Sequence, residues 1–192
     1  MEFILASGNA HKASEFNVLF NDSVIGIISA QKSIDVVEDG DTYEENAFKK
    51  ARAYYEKYNR PVVSDDSGLN VFSLPDELGV FSARFGGEGL SDNERAELLL
   101  EKMKDITDRS AYFSCVLCFY INPDEVYFFE GRLSGEIAQE MSGTDGFGYD
   151  PVFIPSGHDG DSSIAMLPDW KKDNSHRSKA CSFAIKFFSD KK

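Results

Sequence analysis

The sequence predicts a mixed α/β domain, and three observations carry that prediction. Short apolar runs suited to strands alternate with amphipathic helical patterns through the first third of the chain. Two long β-forming runs then follow, joined by Asn122-Pro123-Asp124, which is hairpin turn chemistry. A further helical pattern closes the chain. The order strand, helix, strand, helix, strand, hairpin, helix describes a mixed sheet rather than a doubly wound one. At 192 residues the chain suits one domain with two lobes, and 16 Phe with 8 Tyr supply a substantial core.

Taken in order, residues 2–6 form a short apolar strand ending at Ser7-Gly8-Asn9, and residues 11–20 read as an amphipathic helix. A strand, a small-residue turn and a helix start make an anion cradle. Free N–H groups point outward there, and the helix dipole adds about half a positive charge. Lys12 stands in the first turn like a phosphate-binding lysine, although the glycines of a Walker sequence are missing. Residues 24–28 are a second strand, and residues 33–41 an acidic connection holding Glu38, Asp39 and Asp41. Thr42-Tyr43-Glu44-Glu45 has the form of a capping box, opening a helix to about Tyr58. Lys49 and Lys50 cannot share one face of it, so at most one points towards a site; the ordinary reading of either is a solvated lysine.

The stretch Val62-Val63-Ser64-Asp65-Asp66-Ser67-Gly68-Leu69 dominates the functional reading. Two β-branched residues bring a buried strand to its end, and the chain is expected to turn at the acidic pair, with a separate short strand from Leu69. A plain turn explains Asp, Ser and Gly equally well. Yet adjacent carboxylates where a strand leaves the core are costly without a partner, usually a cation. Residues 79–87 are glycine-rich with one arginine, and Ser91-Asp92-Asn93-Glu94 opens a helix to about Lys104, with Leu98, Leu99, Leu100 and Met103 as its core face. The hairpin comprises residues 110–121 and 125–133, and Gly135-Glu136-Ile137 continues its strand region. Gly143-Thr144-Asp145-Gly146-Phe147-Gly148-Tyr149-Asp150-Pro151 is a loop where a flat ligand could lie against a ring, or a tight turn with Phe147 in the core. Residues 157–163 are polar and expected to be mobile. Ser175 precedes a last helix to about Phe188, placing His176 and Arg177 at its positive end.

A net charge of −13 argues against a nucleic-acid polymer as partner. It leaves room for a small anion, because screening confines a distant negative surface to about 8–10 Å. No apolar run is long enough to span a bilayer, no signal-peptide pattern opens the chain, and no membrane partner is expected; a cytosolic protein is. Cys115 and Cys118 resemble a redox or zinc pair, but within a strand positions three apart face opposite ways. They read as core thiols, as does Cys181.

With these segments in hand, the chain resembles the inosine triphosphate pyrophosphatase family, also called Ham1-like. The resemblance runs nearly end to end. It rests on Ser7-Gly8-Asn9-Ala10-His11-Lys12, Glu44-Glu45-Asn46-Ala47 with Lys50-Ala51, Asp65-Asp66-Ser67-Gly68-Leu69, Gly79-Val80-Phe81-Ser82-Ala83-Arg84, Gly146-Phe147-Gly148-Tyr149-Asp150-Pro151 and Ser175-His176-Arg177. It implies an elongated α/β fold, two lobes around a long curved mixed sheet with a nucleotide cleft between them, and a homodimer. The implied reaction is Mg²⁺-dependent hydrolysis of ITP, dITP and XTP to monophosphate and pyrophosphate. By residue, the resemblance implies that Ser7, Gly8, Asn9, Ala10, His11, Lys12 and Lys50 hold the phosphates. Glu38 and Asp66 would hold the metal, with Asp66 also the general base. Ser67 would contact substrate, Phe147, Gly148, Tyr149 and Asp150 would hold the base, and His176 and Arg177 would stand at its edge.

The chain departs from the family pattern before Ser175. An ungapped match selects Lys171 as the substrate-contacting lysine, whereas a one-residue deletion selects Lys172, and Ala165-Met166-Leu167 lacks an expected glutamate. Three other readings stand beside the main one. An aspartyl-phosphate phosphatase normally needs aspartates on alternate positions, and here they are adjacent. A pyrophosphatase with another nucleotide preference is the second. A nucleotide-binding dimer with little turnover is the third.

Overall fold

The computed structural model describes residues 1–191. Its strands form one six-stranded mixed sheet in the order β2-β1-β3-β4-β5-β6, flanked by helices. The chain divides into two compact units. Unit 1 comprises Met1–Ser67, Cys115–Gly131 and the chain from His176 onward, and unit 2 comprises Gly68–Ser114 and Arg132–Ser175. No described helix is long and apolar enough to cross a membrane.

In unit 1, β1 (Glu2–Ala6) pairs in parallel with β2 (Gly26–Ser29) and with β3 (Val62–Val71). Successive strand residues face opposite ways, and this alternation builds two cores. Phe3, Leu5 and Val63, with Cys115, Leu117 and Phe119 of β4 (Ser110–Asn122), pack on Phe16 and Phe20 and on Ala180, Ala184 and Phe188. Those last residues belong to α1 (Ala10–Leu19), its C-cap, and α5 (His176–Asp190). Ile4, Ala6, Val62, Cys118 and Tyr120 pack the other way, on Ala47, Ala51 and Tyr54 of α2 (Tyr43–Tyr58). Cys115 and Cys118 thus lie in different cores, and all three thiols are free and buried.

Several boundaries differ from expectation. β3 does not end at the acidic pair: it runs unbroken through Asp65, Asp66, Ser67 and Gly68. The strand survives because Asp65 is matched by cations and Asp66 by hydrogen bonds, described below, so the chain has no need to turn them out to water. β2 starts at Gly26, since Ser23 Oγ closes a local turn by accepting the Ile25 N–H at 3.1 Å. Thr42 caps α2 by accepting from the Glu45 N–H, but Glu45 reaches back to the Asp41 N–H at 2.9 Å, so only half a capping box forms.

In unit 2, Ser91 and Glu94 form the full reciprocal box that starts α3 (Asp92–Lys102). Leu99 and Met103 are fully buried, with Leu98 and Leu100 packed on the same core as Leu69, Phe85, Phe113 and Phe153. The glycine-rich stretch becomes a 3₁₀ turn, Gly79–Arg84, whose Ser82 Oγ accepts from the Leu69 N–H at 2.9 Å. The second hairpin strand β5 (Glu125–Ile137) extends past Leu133 and pairs antiparallel with β6 (Phe153–Pro155). A short helix α4 (Pro168–Asn174) precedes Ser175. The polar stretch before it ends in a buried residue, Ser163, whose hydroxyl donates to the Ser142 carbonyl.

Candidate active site

The parallel register of β1 and β3 locates the site. Ala6 lies beside Ser64, so the carboxyl end of β1 opens into Ser7-Gly8-Asn9 next to Asp65 and Asp66. Asn9 is the N-cap of α1, and its Oδ1 accepts from the His11 N–H at 2.9 Å and the Lys12 N–H at 3.1 Å. Two amides expected to point freely at a ligand are therefore already engaged, because asparagine is among the strongest caps. Ser7 Oγ accepts from the Asn9 N–H at 3.2 Å and stiffens the turn. Lys12, one turn into the helix, carries its ammonium back to Asp65, 2.9 Å from Oδ2.

Asp65 is 1% exposed, an expense that three donors offset. Besides Lys12, its Oδ2 accepts from Arg177 Nη2 at 3.3 Å and from Ser67 Oγ at 3.3 Å. Burial alone would push this carboxyl up, but Lys12, Arg177 and Lys50 together hold it well below the usual carboxylate range. Arg177 is also 1% exposed. Its Nη1 donates to Glu15 at 2.5 Å, its Nη2 to Ser67 Oγ at 3.0 Å, and its guanidinium stands over the Phe16 ring at 5.4 Å. Burial opposes its charge, but neighbouring anions raise its pKa further. The residue expected at the edge of a base is thus an internal tie between α5, α1 and β3. His176, beside it, is buried at the start of α5.

Asp66 faces away from Asp65, as adjacent strand residues must. Its Oδ1 accepts from the Ser67 N–H at 3.0 Å and its Oδ2 from Asn46 Nδ2 at 3.1 Å. Burial dominates here and pushes this carboxyl up to about 6, against the attraction of Lys50 and Lys12. Lys50 bridges the surroundings: Nζ donates to the Asp65 carbonyl at 3.0 Å and pairs with Glu38 at 2.7 Å. Burial works against its charge, but Asp65 and Glu38 outweigh it and the pKa is raised. Lys49 turns outward to an exposed pair with Asp39. Of the two lysines, one points inward.

Unit 1 therefore brings together Ser7, Lys12, Glu38, Lys50, Asp66, Ser67 and Arg177. Gly8, Asn9, Ala10 and His11 lie on the exposed turn beside them. No group of three or more His, Cys, Asp and Glu side chains able to hold a metal is formed among the described residues. Glu38 and Asp66 are carboxylate oxygen donors of the kind a divalent cation takes.

Unit 2 carries a second constellation. Asp150 is 3% exposed and accepts from the Phe147 N–H at 2.9 Å and from Lys171 Nζ at 2.8 Å. That ammonium also stands over the Phe147 ring at 4.9 Å. Gly146 is obligatory: its φ is +86°, and a Cβ there would lie 2.0 Å from Asp150 Oδ2. Tyr149 turns into the core and donates to the Ser82 carbonyl at 2.7 Å, while the Gly148 N–H donates to Asp92 at 2.8 Å. Lys171 is buried and Lys172 exposed.

Sequence reasoning gave no role to Asp65, Glu15 or Asn46. Glu15 follows Lys12 by three residues on α1 and so shares its face, a signal that was available. Asn46 stood within a quoted motif, but nothing local shows that its amide is buried.

Fixed lysines and buried carboxylates delivered by parallel strands to one end of a sheet define a protein that handles phosphate anions. The chain belongs to the Ham1 family, whose model matches residues 3–187. It is 42% identical over 194 residues to a dITP/XTP pyrophosphatase of Staphylococcus aureus strain Mu50, covering 100% of this chain and 98% of that protein. Its fold matches the structure of the Staphylococcus aureus Ham1 protein, with a TM-score of 0.87, 39% identity and 100% of both chains covered. A HAM1 protein from Coxiella burnetii matches with a TM-score of 0.88, 35% identity and 99% of both chains covered.

Proposed function

We propose that this chain hydrolyses ITP, dITP and XTP to the monophosphate and pyrophosphate. The observation that carries the proposal is the juxtaposition of Lys12 and Lys50 with Asp65, Asp66 and Glu38 in unit 1. The relatives named dITP/XTP pyrophosphatases support the substrate class. A triphosphate repels an oxygen nucleophile, so the site must first neutralise charge. Lys12 and Lys50 supply fixed positive charge, and the turn at Ser7, Gly8, Asn9, Ala10 and His11 lies where the phosphate chain would rest. Glu38 and Asp66 would hold Mg²⁺, whose charge, when bound, offsets that of the phosphates and acidifies a coordinated water.

Asp66 orients the attacking water and accepts its proton, and burial gives it a basicity better suited to that task than an ordinary aspartate has. Attack at the α-phosphorus forms the new P–O bond as the bond to the β-phosphate's bridging oxygen breaks, and pyrophosphate leaves. Ser67 holds Asp66 through its amide and Asp65 through its hydroxyl. The proposal assigns base recognition to the unit 2 constellation, with the Lys171 ammonium and the backbone N–H groups around Phe147 and Gly148 as donors. A 6-oxo purine accepts from such donors, whereas adenine leaves them unpaired at about 1–3 kcal/mol each. The proposal further includes a homodimer and a cytoplasmic setting.

The test is pyrophosphate release from dITP, XTP, ITP, GTP and ATP, with and without Mg²⁺, by wild type and Asp66→Asn. Wild type should prefer the 6-oxo nucleotides over ATP at least tenfold in kcat/KM. Asp66→Asn should lose most turnover while binding nucleotide within tenfold of wild type. Full turnover by Asp66→Asn refutes Asp66 as base, and absence of pyrophosphate release by wild type refutes the reaction.

A further inference from the structure

Asn46 is 1% exposed and makes two hydrogen bonds of opposite kind. Its Oδ1 accepts from the Gly40 N–H at 2.8 Å, and its Nδ2 donates to Asp66 Oδ2 at 3.1 Å. The amide cannot be turned round, because the Gly40 N–H needs an acceptor and only the oxygen can provide it. The amino end is thereby forced onto Asp66. The carboxylate's other oxygen is held by the Ser67 N–H at 3.0 Å, so both ends of its plane are fixed. Gly40 itself has no room to spare: a Cβ there would stand 2.8 Å from Asn46 Oδ1 and 2.8 Å from Glu45 Cβ.

We propose that Asn46, seated by the backbone of Gly40, is a positioning residue that sets the orientation of the Asp66 carboxylate for hydrolysis. The inference rests on Asp66 being the base. It adds that the acidic connection holding Glu38 and Gly40 and the carboxylate on β3 are oriented as one piece through a single buried amide. The amide's two bonds reach Gly40 and Asp66 and neither Lys12 nor Lys50, so the cost of displacing it is expected on turnover and not on nucleotide binding.

The experiment is a double-mutant cycle on dITP hydrolysis with Asn46→Ala, Gly40→Ala and the pair. Calorimetric affinity for a non-hydrolysable dITP analogue and the thermal midpoint are measured in parallel. Each single variant is expected to lower kcat at least tenfold, with KM and analogue affinity within threefold of wild type. In the double variant, Gly40→Ala should cost less than a further twofold, since the clash that remains, with Glu45, does not bear on Asp66. A kcat within twofold of wild type for Asn46→Ala, losses that multiply in the double variant, or losses confined to KM overturn the inference. If Asn46→Ala is unfolded at the assay temperature, Gly40→Ala decides by the same thresholds, as it leaves no cavity. Failure of Asp66→Asn to lose turnover refutes Asp66 as the base and removes this inference with it, while pyrophosphate release by wild type leaves the reaction standing. Loss in Asp66→Asn without loss in the Asn46 and Gly40 variants removes this inference alone.

Discussion

Replacing Arg177 with methionine tests the buried charge cluster most directly. The guanidinium is 1% exposed and serves Glu15 at 2.5 Å, Asp65 at 3.3 Å and Ser67 at 3.0 Å. Methionine fills much of the volume and removes every donor. Asp65, also 1% exposed, keeps Lys12, the Ser67 hydroxyl and the nearby charge of Lys50. Breaking a buried pair by removing one partner typically costs about 3–5 kcal/mol. For a chain of this size each kcal/mol moves the thermal midpoint by roughly 2–4 °C, so a fall of about 6–20 °C is expected at pH 7. Adding Asp65→Asn removes the stranded charge and should restore at least half of that loss. The measurement is thermal unfolding followed by circular dichroism for wild type, both single variants and the pair. The stabilising share of Asp65 is present above its unfolded pKa of about 3.9 and lost as pH falls towards its depressed folded value. The deficit of Arg177→Met should therefore be largest near neutrality. A single variant within 2 °C of wild type, or strictly additive losses in the pair, would refute the picture of a coupled buried cluster.

Further expectations follow from the same geometry. Asp66 has the opposite linkage sign: its folded pKa is raised to about 6, so its cost to stability is absent below its unfolded value and grows as pH rises to about 6. Asp66→Asn should thus gain stability relative to wild type between pH 4 and pH 7, by on the order of 1–3 kcal/mol, as the difference in midpoints at the two pH values will show. Activity of the free enzyme should fall below about pH 6 as Asp66 takes up a proton. Lys171→Ala should raise KM for dITP at least tenfold, because it removes the ammonium between Asp150 and the Phe147 ring, whereas Lys172→Ala should stay within twofold. Steady-state kinetics of both variants decide it. Burial pushes the Cys115 and Cys118 thiols up to about 12 and raises Cys181 as well. Native protein should accordingly resist a thiol reagent that labels all three residues in denaturant.

The fold class and the element order were legible because they depend on local periodicity. Alternation along β1 and β4 and the capping box at Ser91 act over a few residues and need no knowledge of the rest of the chain. The acidic pair misled for the complementary reason. Asp65 and Asp66 look like a turn unless one knows that Lys12 and Arg177, from helices far apart in sequence, stand ready to receive one of them. The inward direction of Lys50 was limited by helix geometry, but its choice over Lys49 depended on where Glu38 lay. Nothing local shows that Arg177, at a helix start, is buried. Its burial follows from Phe16 and Glu15 packing against it. Tertiary charge compensation leaves no local trace in a sequence, and that is where the reading of residues one segment at a time gave out.

The unbroken course of β3 has one more consequence. Its two acids are neighbours on a pleated ribbon, so the strand's frame alone decides which becomes the salt-locked anchor and which the carboxylate proposed as the base. One residue gained or lost between Pro61 and Asp65, if absorbed by the strand, would exchange their faces and with them those of the core residues Leu69 and Val71 further along. The pairing of Ala6 with Ser64 is therefore a functional setting as much as a structural one. Length changes are compatible with activity only where the chain can absorb them outside that ribbon.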